Sequence, residues 1–448
     1  MERFFSIMER VSPMVLCGLL GATAAYGGFW PYDPYIKNAL EGTQAIIFDT
    51  GLKFGLLSAD IWAGESLSAD RSKLGTGVTV SKPGQDETGL VLVTVGQSAK
   101  LINHKGDVLH EWSLPYGQLP PGNGRVEATH EDMMYWQRAR VTPEGDLIVM
   151  VNHNYYSPDG LAIMRIDSKS TLKWVRYGHY NHDFDVTADG KIHVIWQDTR
   201  TAPPDIYKPL GTPILDEGVA TLDADGKLLH QVSVLDGFAR SRYNQLPLMQ
   251  GVTPDNKPGD RMHNNNVDVL SEAQAKALPG AKAGDVLISM REWNSIAAMD
   301  PATGAIDWAM HGSFNRQHDP DLLPNGNIML FDNMGDWQRN AASRVIEFNP
   351  KTEEIVWQFP APGSHDDLWS RIRGEQQVLP NGNVLINETQ GGRLLEVNRA
   401  SEVVWEYRCP FTFHNEGKRL CNLMSSQPYA EGDLPFLANA PLKLSTLN

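Results

Sequence analysis

Short runs of alternating apolar and polar residues recur along the chain. Six segments share one pattern: an apolar strand, a turn containing Asp, Asn or Gly, and a second strand that usually ends in Trp. They cover residues 98–112, 161–174, 218–232, 295–308, 343–357 and 392–405. Such alternation is typical of half-buried strands, and the turn residues suit β-hairpins. The last three tryptophans are 49 and 48 residues apart, so the segments form a repeat.

A second hairpin precedes most of these segments. Four copies cover residues 139–151, 184–196, 320–332 and 375–387, and the fourth repeat carries the same strands around an insertion at residues 271–283. Two hairpins give four strands in every roughly fifty residues, which is the size of one propeller blade. The sequence therefore predicts an all-β fold, a six-bladed β-propeller over residues 75–410. An irregular β-sandwich would not explain so regular a repeat.

The N-terminal segment differs from the rest of the chain. Residues 11–30 carry no charge and are mostly apolar, which is long enough for one helix to cross a bilayer. Ala22-Thr23-Ala24 also resembles a signal-cleavage site, so residues 1–33 are either a membrane anchor or an uncleaved signal. Residues 34–74 are predicted to form short membrane-proximal helices. Both interpretations export the chain, and we expect a single-pass inner-membrane protein with its propeller in the periplasm.

The chain has 3 cysteines. Cys409 and Cys421 flank the start of the C-terminal tail, residues 411–448, and an exported protein can join such a pair. We therefore predict a Cys409–Cys421 disulfide.

The charge balance excludes one class of partner. Among 448 residues, 39 Lys and Arg face 54 Asp and Glu, which gives a formal net charge of −15. Nucleic-acid binding draws its affinity from clustered cations, so we expect no nucleic-acid partner.

Three consecutive blades carry histidine at one position of the first strand: His182, His263 and His318. First strands surround the axial channel of a propeller, so these imidazoles are predicted to converge at its opening. Three imidazoles suit either a metal site or covalent and acid–base chemistry. Arg291 ends the second strand of blade 4, where a guanidinium would repel a divalent cation and bind a sulfate, phosphate or carboxylate. An oxyanion substrate is therefore favoured, without metal or cofactor.

His182, His263, Asn265, Arg291 and His318, in this order, resemble the bacterial arylsulfate sulfotransferase (ASST) family that works without the nucleotide sulfate donor. The resemblance covers about residues 78–410. It implies a periplasmic six-bladed enzyme that moves a sulfuryl group from a phenolic sulfate ester to another phenol in two steps.

The resemblance also implies a role for each matching residue. His318 would be the nucleophile that becomes sulfohistidine. His263, Asn265 and Arg291 would bind the sulfuryl oxygens, and His182 would be the general acid and base at the ester oxygen. Thr389 would make a further substrate contact.

The chain departs from the family at its N-terminus, where known members carry a separate β-domain and no anchor. An alternative function is therefore a scaffold or accessory subunit of a membrane complex, with the old site kept or repurposed. The expected partners are a small aryl sulfate, a phenolic or cell-envelope acceptor, the membrane and, under the alternative, other membrane subunits.

Overall fold

The computed structural model describes residues 75–86, 89–125, 134–153, 158–249, 259–336, 342–364, 366–411 and 423–439, all within one compact unit, Asp60–Asn448. The predicted anchor, the membrane-proximal linker and Cys421 lie outside these residues. The anchor, the linker helices and the Cys409–Cys421 disulfide therefore stay predictions. Within the described ranges, no helix is long and apolar enough to cross a membrane.

Six antiparallel sheets form the blades of a propeller, which confirms the predicted fold. Each blade has four strands in up-and-down order, and blade 6 has a fifth. Blade 1 contains β2 (Leu90–Val95), β3 (Ser98–Ile102), β4 (Val108–Ser113) and β25 (Ser426–Tyr429); blade 2 contains β5 (Met134–Val141), β6 (Leu147–His153), β7 (Ala162–Ile166) and β8 (Leu172–Tyr177); blade 3 contains β9 (Tyr180–Val186), β10 (Ile192–Arg200), β11 (Ile214–Leu222) and β12 (Leu228–Ser233).

The remaining blades follow in chain order. Blade 4 contains β13 (Asn264–Val269), β14 (Val286–Met290), β15 (Ser295–Met299) and β16 (Ile306–His311); blade 5 contains β17 (His318–Leu322), β18 (Ile328–Asp336), β19 (Ala342–Phe348) and β20 (Ile355–Phe359); blade 6 contains β21 (Glu375–Val378), β22 (Val384–Glu388), β23 (Arg393–Val397), β24 (Val403–Arg408) and β1 (Gly77–Ser81). The first strands β5, β9, β13, β17 and β21 contact one another in sequence around the axis.

The C-terminal segment closes the ring. β25 pairs with β2 as the innermost strand of blade 1, while β1 pairs with β24 at the outer edge of blade 6. Just before β25 begins, the Thr94 N–H donates to the Ser425 carbonyl, and the Ser425 N–H donates to the Thr94 hydroxyl. The propeller therefore extends to Tyr429, beyond the predicted boundary at residue 410. The sequence contained an indirect sign of this, because the first repeat lacks a preceding inner strand.

The repeated tryptophans join neighbouring blades. Trp112 of β4 donates from Nε1 to the Gly145 carbonyl in blade 2, at 3.1 Å. Trp174 of β8 donates to the Ala224 carbonyl in blade 3, and Trp405 of β24 to the His104 carbonyl in blade 1. A large apolar ring with one donor suits this position, since it packs between sheets and satisfies a turn carbonyl.

Two short helices lie outside the blades. α1 (Val234–Arg240) follows β12, with Ser233 accepting the Asp236 N–H at its N-terminus. α2 (Glu272–Ala275) begins with a capping box of Ser271 and Gln274, within the insertion that joins β13 to β14. His263 precedes β13 and Arg291 follows β14, so the insertion lies at the other end of that hairpin.

Candidate active site

The inner strands carry a repeated irregularity near their starts. The pairing of first and second strands shifts register in four blades, as a β-bulge does. These shifts lie between Trp136 and Arg138, Val194 and Trp196, Asn264 and Val267, and His318 and Asp321. His182, His263 and Asp319 adopt left-handed φ angles of 60°, 55° and 53° at these places. Bulges redirect side chains, and a distortion of this kind lies at or next to each of the three histidines.

The predicted catalytic side chains meet in one cavity. His182, His263, Arg291 and His318 all line an axial cavity of about 500 Å³. Asn265 lines a smaller cavity of about 40 Å³, which His182 and His318 also line. Thr389 is fully buried and lines neither cavity, so its contact with substrate stays a prediction.

His182 and His263 lie side by side, with ring centroids 4.5 Å apart. The Nδ1 atom of His263 is 2.6 Å from Oδ2 of the buried Asp260. A carboxylate at this distance accepts the Nδ1 proton and fixes the plane of the ring. Asp260 therefore holds His263 against the cavity.

His318 is buried and neutral. Its Nδ1 atom lies 2.7 Å from Oδ1 of Asn333, and the Arg373 backbone N–H points at its Nε2 atom, at 3.3 Å. Burial, assisted by the Arg291 charge, lowers the pKa of His318 to about 3. Burial and the neighbouring His263 and His318 rings lower the pKa of His182 well below its ordinary value. At neutral pH both imidazoles are therefore uncharged.

Arg291 is held by an ionised carboxylate. Its Nε atom lies 2.7 Å from Oε1 of Glu292, and Nη2 of Arg316 lies 3.7 Å from the other oxygen. Burial opposes ionisation of Glu292, but Arg291, His263 and Arg316 hold its pKa below the ordinary value. Arg371 and Arg373 also line the cavity, beside Asp159 and Asp260. Four guanidinium groups against two lining carboxylates make the cavity locally cationic in an acidic protein.

A buried ion cluster lies next to the histidines, around the smaller cavity. Arg138 of β5 contacts Asp183 of β9 at 2.7 Å, Asp319 of β17 at 3.4 Å and Glu375 of β21. Asp183 and Asp319 directly follow His182 and His318 in the sequence. One arginine thus links the inner strands of four blades next to the histidines.

Several residues of the site were not identified from the sequence. Asp260 stands three residues before His263, and Arg373 directly precedes Gly374, which aligns with the histidines. Asn333 lies in β18, the second strand of blade 5, as Arg291 follows the second strand of blade 4. The register of the inner strands could be derived from the sequence, but an amide contact to one imidazole nitrogen leaves no sequence pattern. Among the described residues, no three His, Cys, Asp or Glu side chains form a group that could hold a metal ion.

The family model for Arylsulfotransferase (ASST) matches residues 144–410, more than half of the chain. The chain belongs to the arylsulfotransferase family. This confirms the resemblance and supports an arylsulfotransferase-like function, with an aryl sulfate donor and a phenol acceptor. No match was found among curated proteins.

The solved structures similar to this chain are distant. A protein of unknown function from Bacteroides caccae has 12% identity and a TM-score of 0.46, covering 72% of this chain and 94% of that chain. A streptogramin B lyase has 12% identity and a TM-score of 0.38, covering 78% and 86%. Virginiamycin B lyase from Staphylococcus aureus has 11% identity and a TM-score of 0.37, covering 78% and 88%. At these values, the similarities say nothing about what this chain does.

Proposed function

We propose that the protein transfers a sulfuryl group from an aryl sulfate to a phenol through a covalent sulfohistidine at His318. The observation that carries the proposal is the convergence of three histidines and Arg291 on one cavity. A neutral imidazole is a nucleophile at sulfur, and an intermediate allows one site to serve donor and acceptor in turn.

In the first half-reaction, a lone pair of the His318 imidazole attacks sulfur and the bond from sulfur to the aryl oxygen breaks. Negative charge develops on the sulfuryl oxygens and on the leaving oxygen. Arg291 and Asn265 donate to the sulfuryl oxygens, where fixed donors are most effective in a buried site. His263 donates its Nδ1 proton to Asp260, so it binds a sulfuryl oxygen through Nε2 as an imidazolium. His182 interacts with the aryl oxygen. In the second half-reaction an acceptor attacks the same sulfur as its phenolate, the bond from sulfur to His318 breaks, and its electron pair returns to the imidazole.

The cellular location is also a proposal. We propose that residues 1–33 anchor the protein in the inner membrane and that the propeller acts in the periplasm. The uncharged, mostly apolar segment at residues 11–30 supports this. Protease added to spheroplasts should digest the propeller without lysis, and protection of the propeller until lysis would contradict the location.

Sulfuryl transfer from a chromogenic aryl sulfate to phenol tests the proposed reaction. Wild type should release the chromophore, and His318→Ala should lose the activity. His110→Ala is a matched control, because His110 contacts the Ser168 carbonyl in the outer part of the propeller and lines neither cavity. No turnover by wild type, or turnover that survives His318→Ala, would contradict the proposal and favour the scaffold alternative.

A further inference from the structure

Two buried side-chain amides each contact the Nδ1 atom of one active-site histidine. Gln137 contacts His182 and Asn333 contacts His318, and they do so with opposite ends of the amide. A neutral imidazole carries one proton on either Nδ1 or Nε2, and the partner of one nitrogen determines the state of the other. The two contacts therefore assign the chemistry of each ring, given the proposed function.

The orientation of Gln137 is fixed by donors. Its Oε1 atom accepts from Nδ2 of Asn152 at 2.6 Å and from the His182 backbone N–H at 2.9 Å. Asn152 is fixed in turn, because its Oδ1 atom accepts the backbone N–H groups of His153 and Gly160. The Nε2 atom of Gln137 therefore faces Nδ1 of His182, at 3.1 Å, and donates to it. His182 must accept at Nδ1, so its proton is on Nε2.

The orientation of Asn333 is fixed by acceptors. Its Nδ2 atom donates to the Ser370 carbonyl at 2.6 Å and to the Arg373 carbonyl. Its Oδ1 atom therefore faces Nδ1 of His318, and the Arg316 carbonyl lies 3.2 Å from the same nitrogen. Two acceptors require a proton on Nδ1. The Nε2 atom of His318 then has a lone pair, which agrees with the Arg373 N–H that points at it.

We infer that Gln137 and Asn333 are positioning residues that hold the two histidines in opposite tautomers. His318 attacks through Nε2, while His182 donates a hydrogen bond from Nε2–H to the aryl oxygen and keeps its proton. The Nε2 atom of His182 is buried without a hydrogen-bond partner in the described part of the chain, and His182 lines both cavities. An aryl oxygen would satisfy that donor.

This assignment changes how the leaving group departs. Sulfur bonds to Nε2 of His318, the bond from sulfur to the aryl oxygen breaks, and its electron pair leaves on a phenolate. A histidine that acts as a general acid is an imidazolium, with a proton on both nitrogens. The Gln137 N–H that points at Nδ1 excludes this form of His182, and a neutral ring does not give up its Nε2 proton. His182 stabilises the phenolate as a neutral imidazole donor. Burial, followed by His263, His318 and Arg291, lowers the pKa of His182 well below its ordinary value, and Asp260 opposes this only in part. The reverse step requires an acceptor that attacks as phenolate, so acidic phenols are the preferred substrates.

The tautomers can be read without substrate. Full-length protein with ¹⁵N-labelled histidine should show an unprotonated Nδ1 for His182 and an unprotonated Nε2 for His318 at neutral pH, with signals assigned from His182→Ala and His318→Ala. In Gln137→Glu, a carboxylate oxygen replaces the donor, so Nδ1 of His182 should become protonated. The same tautomer in both rings of wild type, or an unchanged Nδ1 in Gln137→Glu, would overturn the inference.

Kinetics test the consequence for His318. Asn333 supplies the acceptor at Nδ1, and Asn333→Asp is not a conservative test, because its second carboxylate oxygen would face the Ser370 and Arg373 carbonyls. Asn333→Leu removes the acceptor and should slow phenolate release by roughly 10³-fold or more, the scale of a wrong tautomer in another enzyme. Ser343→Ala is the matched control, because Ser343 also holds the Ser370 segment but does not contact His318; it should retain the rate. Equal losses in Asn333→Leu and Ser343→Ala would show a merely structural role.

Leaving-group dependence tests the role of His182. Release should become faster as the phenol of the donor becomes more acidic, because the oxygen leaves without a proton. A rate independent of phenol acidity would overturn that part. If wild type releases no phenolate from any aryl sulfate, the proposed function fails, and the NMR measurement still decides the tautomers.

Discussion

Replacing Arg138 with methionine tests the buried ion cluster next to the active-site histidines. Arg138 is 4% exposed and its guanidinium contacts Asp183, Asp319 and Glu375, each on a different blade. Burial alone would lower the pKa of Arg138, but the three carboxylates hold it above its ordinary range. Arg138→Met preserves much of the side-chain volume and removes the charge. The buried Asp183 and Asp319 and the partly buried Glu375 then lose their shared cation.

The expected cost follows from the geometry. Removing one partner of a buried ion pair destabilises a protein by about 3–5 kcal/mol, because the remaining charge is buried without compensation. Some of the carboxyl groups escape this cost by binding a proton. Burial raises the pKa values of Asp183 and Asp319 to about 6 even with Arg138 present, and losing the arginine raises them further. We therefore expect Arg138→Met to lower the free energy of unfolding by about 3 kcal/mol at pH 8, and not by that amount for each carboxyl group.

The pH dependence has a definite sign. The aspartates bind protons more tightly in the folded variant than in the unfolded chain, whose aspartates have ordinary pKa values near 4. Unfolding therefore releases protons from about pH 4 to above pH 6, so the stability of the variant falls as the pH rises. The deficit of Arg138→Met relative to wild type should be smaller at pH 5 than at pH 8, by about 1–2 kcal/mol.

Urea unfolding followed by tryptophan fluorescence at pH 5 and pH 8 measures both quantities. Lys276→Met is the control, because Lys276 pairs with Glu272 at the surface and both side chains are exposed; it should not shift the transition measurably. A deficit below about 1 kcal/mol at pH 8, or one that grows on acidification, would refute the reasoning.

Three other predictions concern the site and the ring closure. Asp260→Asn should slow sulfuryl transfer by roughly 10-fold or more because the amide holds the His263 ring less firmly, and steady-state rates would show no loss if Asp260 were only structural. In His318→Gln, stability should fall less steeply between pH 6.5 and pH 3 than in wild type, since His318 binds a proton on unfolding in that range; parallel pH profiles from thermal unfolding would contradict this. A chain that ends at residue 422 lacks β25, so β2 becomes an open edge and size-exclusion chromatography should show aggregation; a stable monomer would contradict the assigned closure.

The propeller and the histidine cluster could be predicted because both are periodic. The spacing of Trp308, Trp357 and Trp405 reflects a repeated packing position, because each ring lies in an apolar cluster shared with the next blade. His182, His263 and His318 share a register because equivalent positions of inner strands face one axis. A repeat of structure is visible as a repeat of sequence, and the residues that occupy it can be compared by position.

The remaining features are not periodic. β25 completes blade 1 from a segment about 330 residues away from its partner β2, and only a missing strand indicated it. The guanidinium of Arg138 reaches three other blades, and the amides of Gln137 and Asn333 select single nitrogen atoms. Such contacts depend on side-chain orientation within a bulged strand, which the order of residues does not specify.

In the proposed mechanism His318 carries the sulfuryl group between donor and acceptor. Purified full-length protein can be mixed with an aryl sulfate in the absence of acceptor, then digested under mildly alkaline conditions for mass spectrometry. We predict a mass increase of about 80 Da, that of a sulfuryl group, on the peptide containing His318, lost when phenol is added and absent in His318→Ala. Chromophore release without any adduct on that peptide, or an adduct on His182 or His263 instead, would contradict the account.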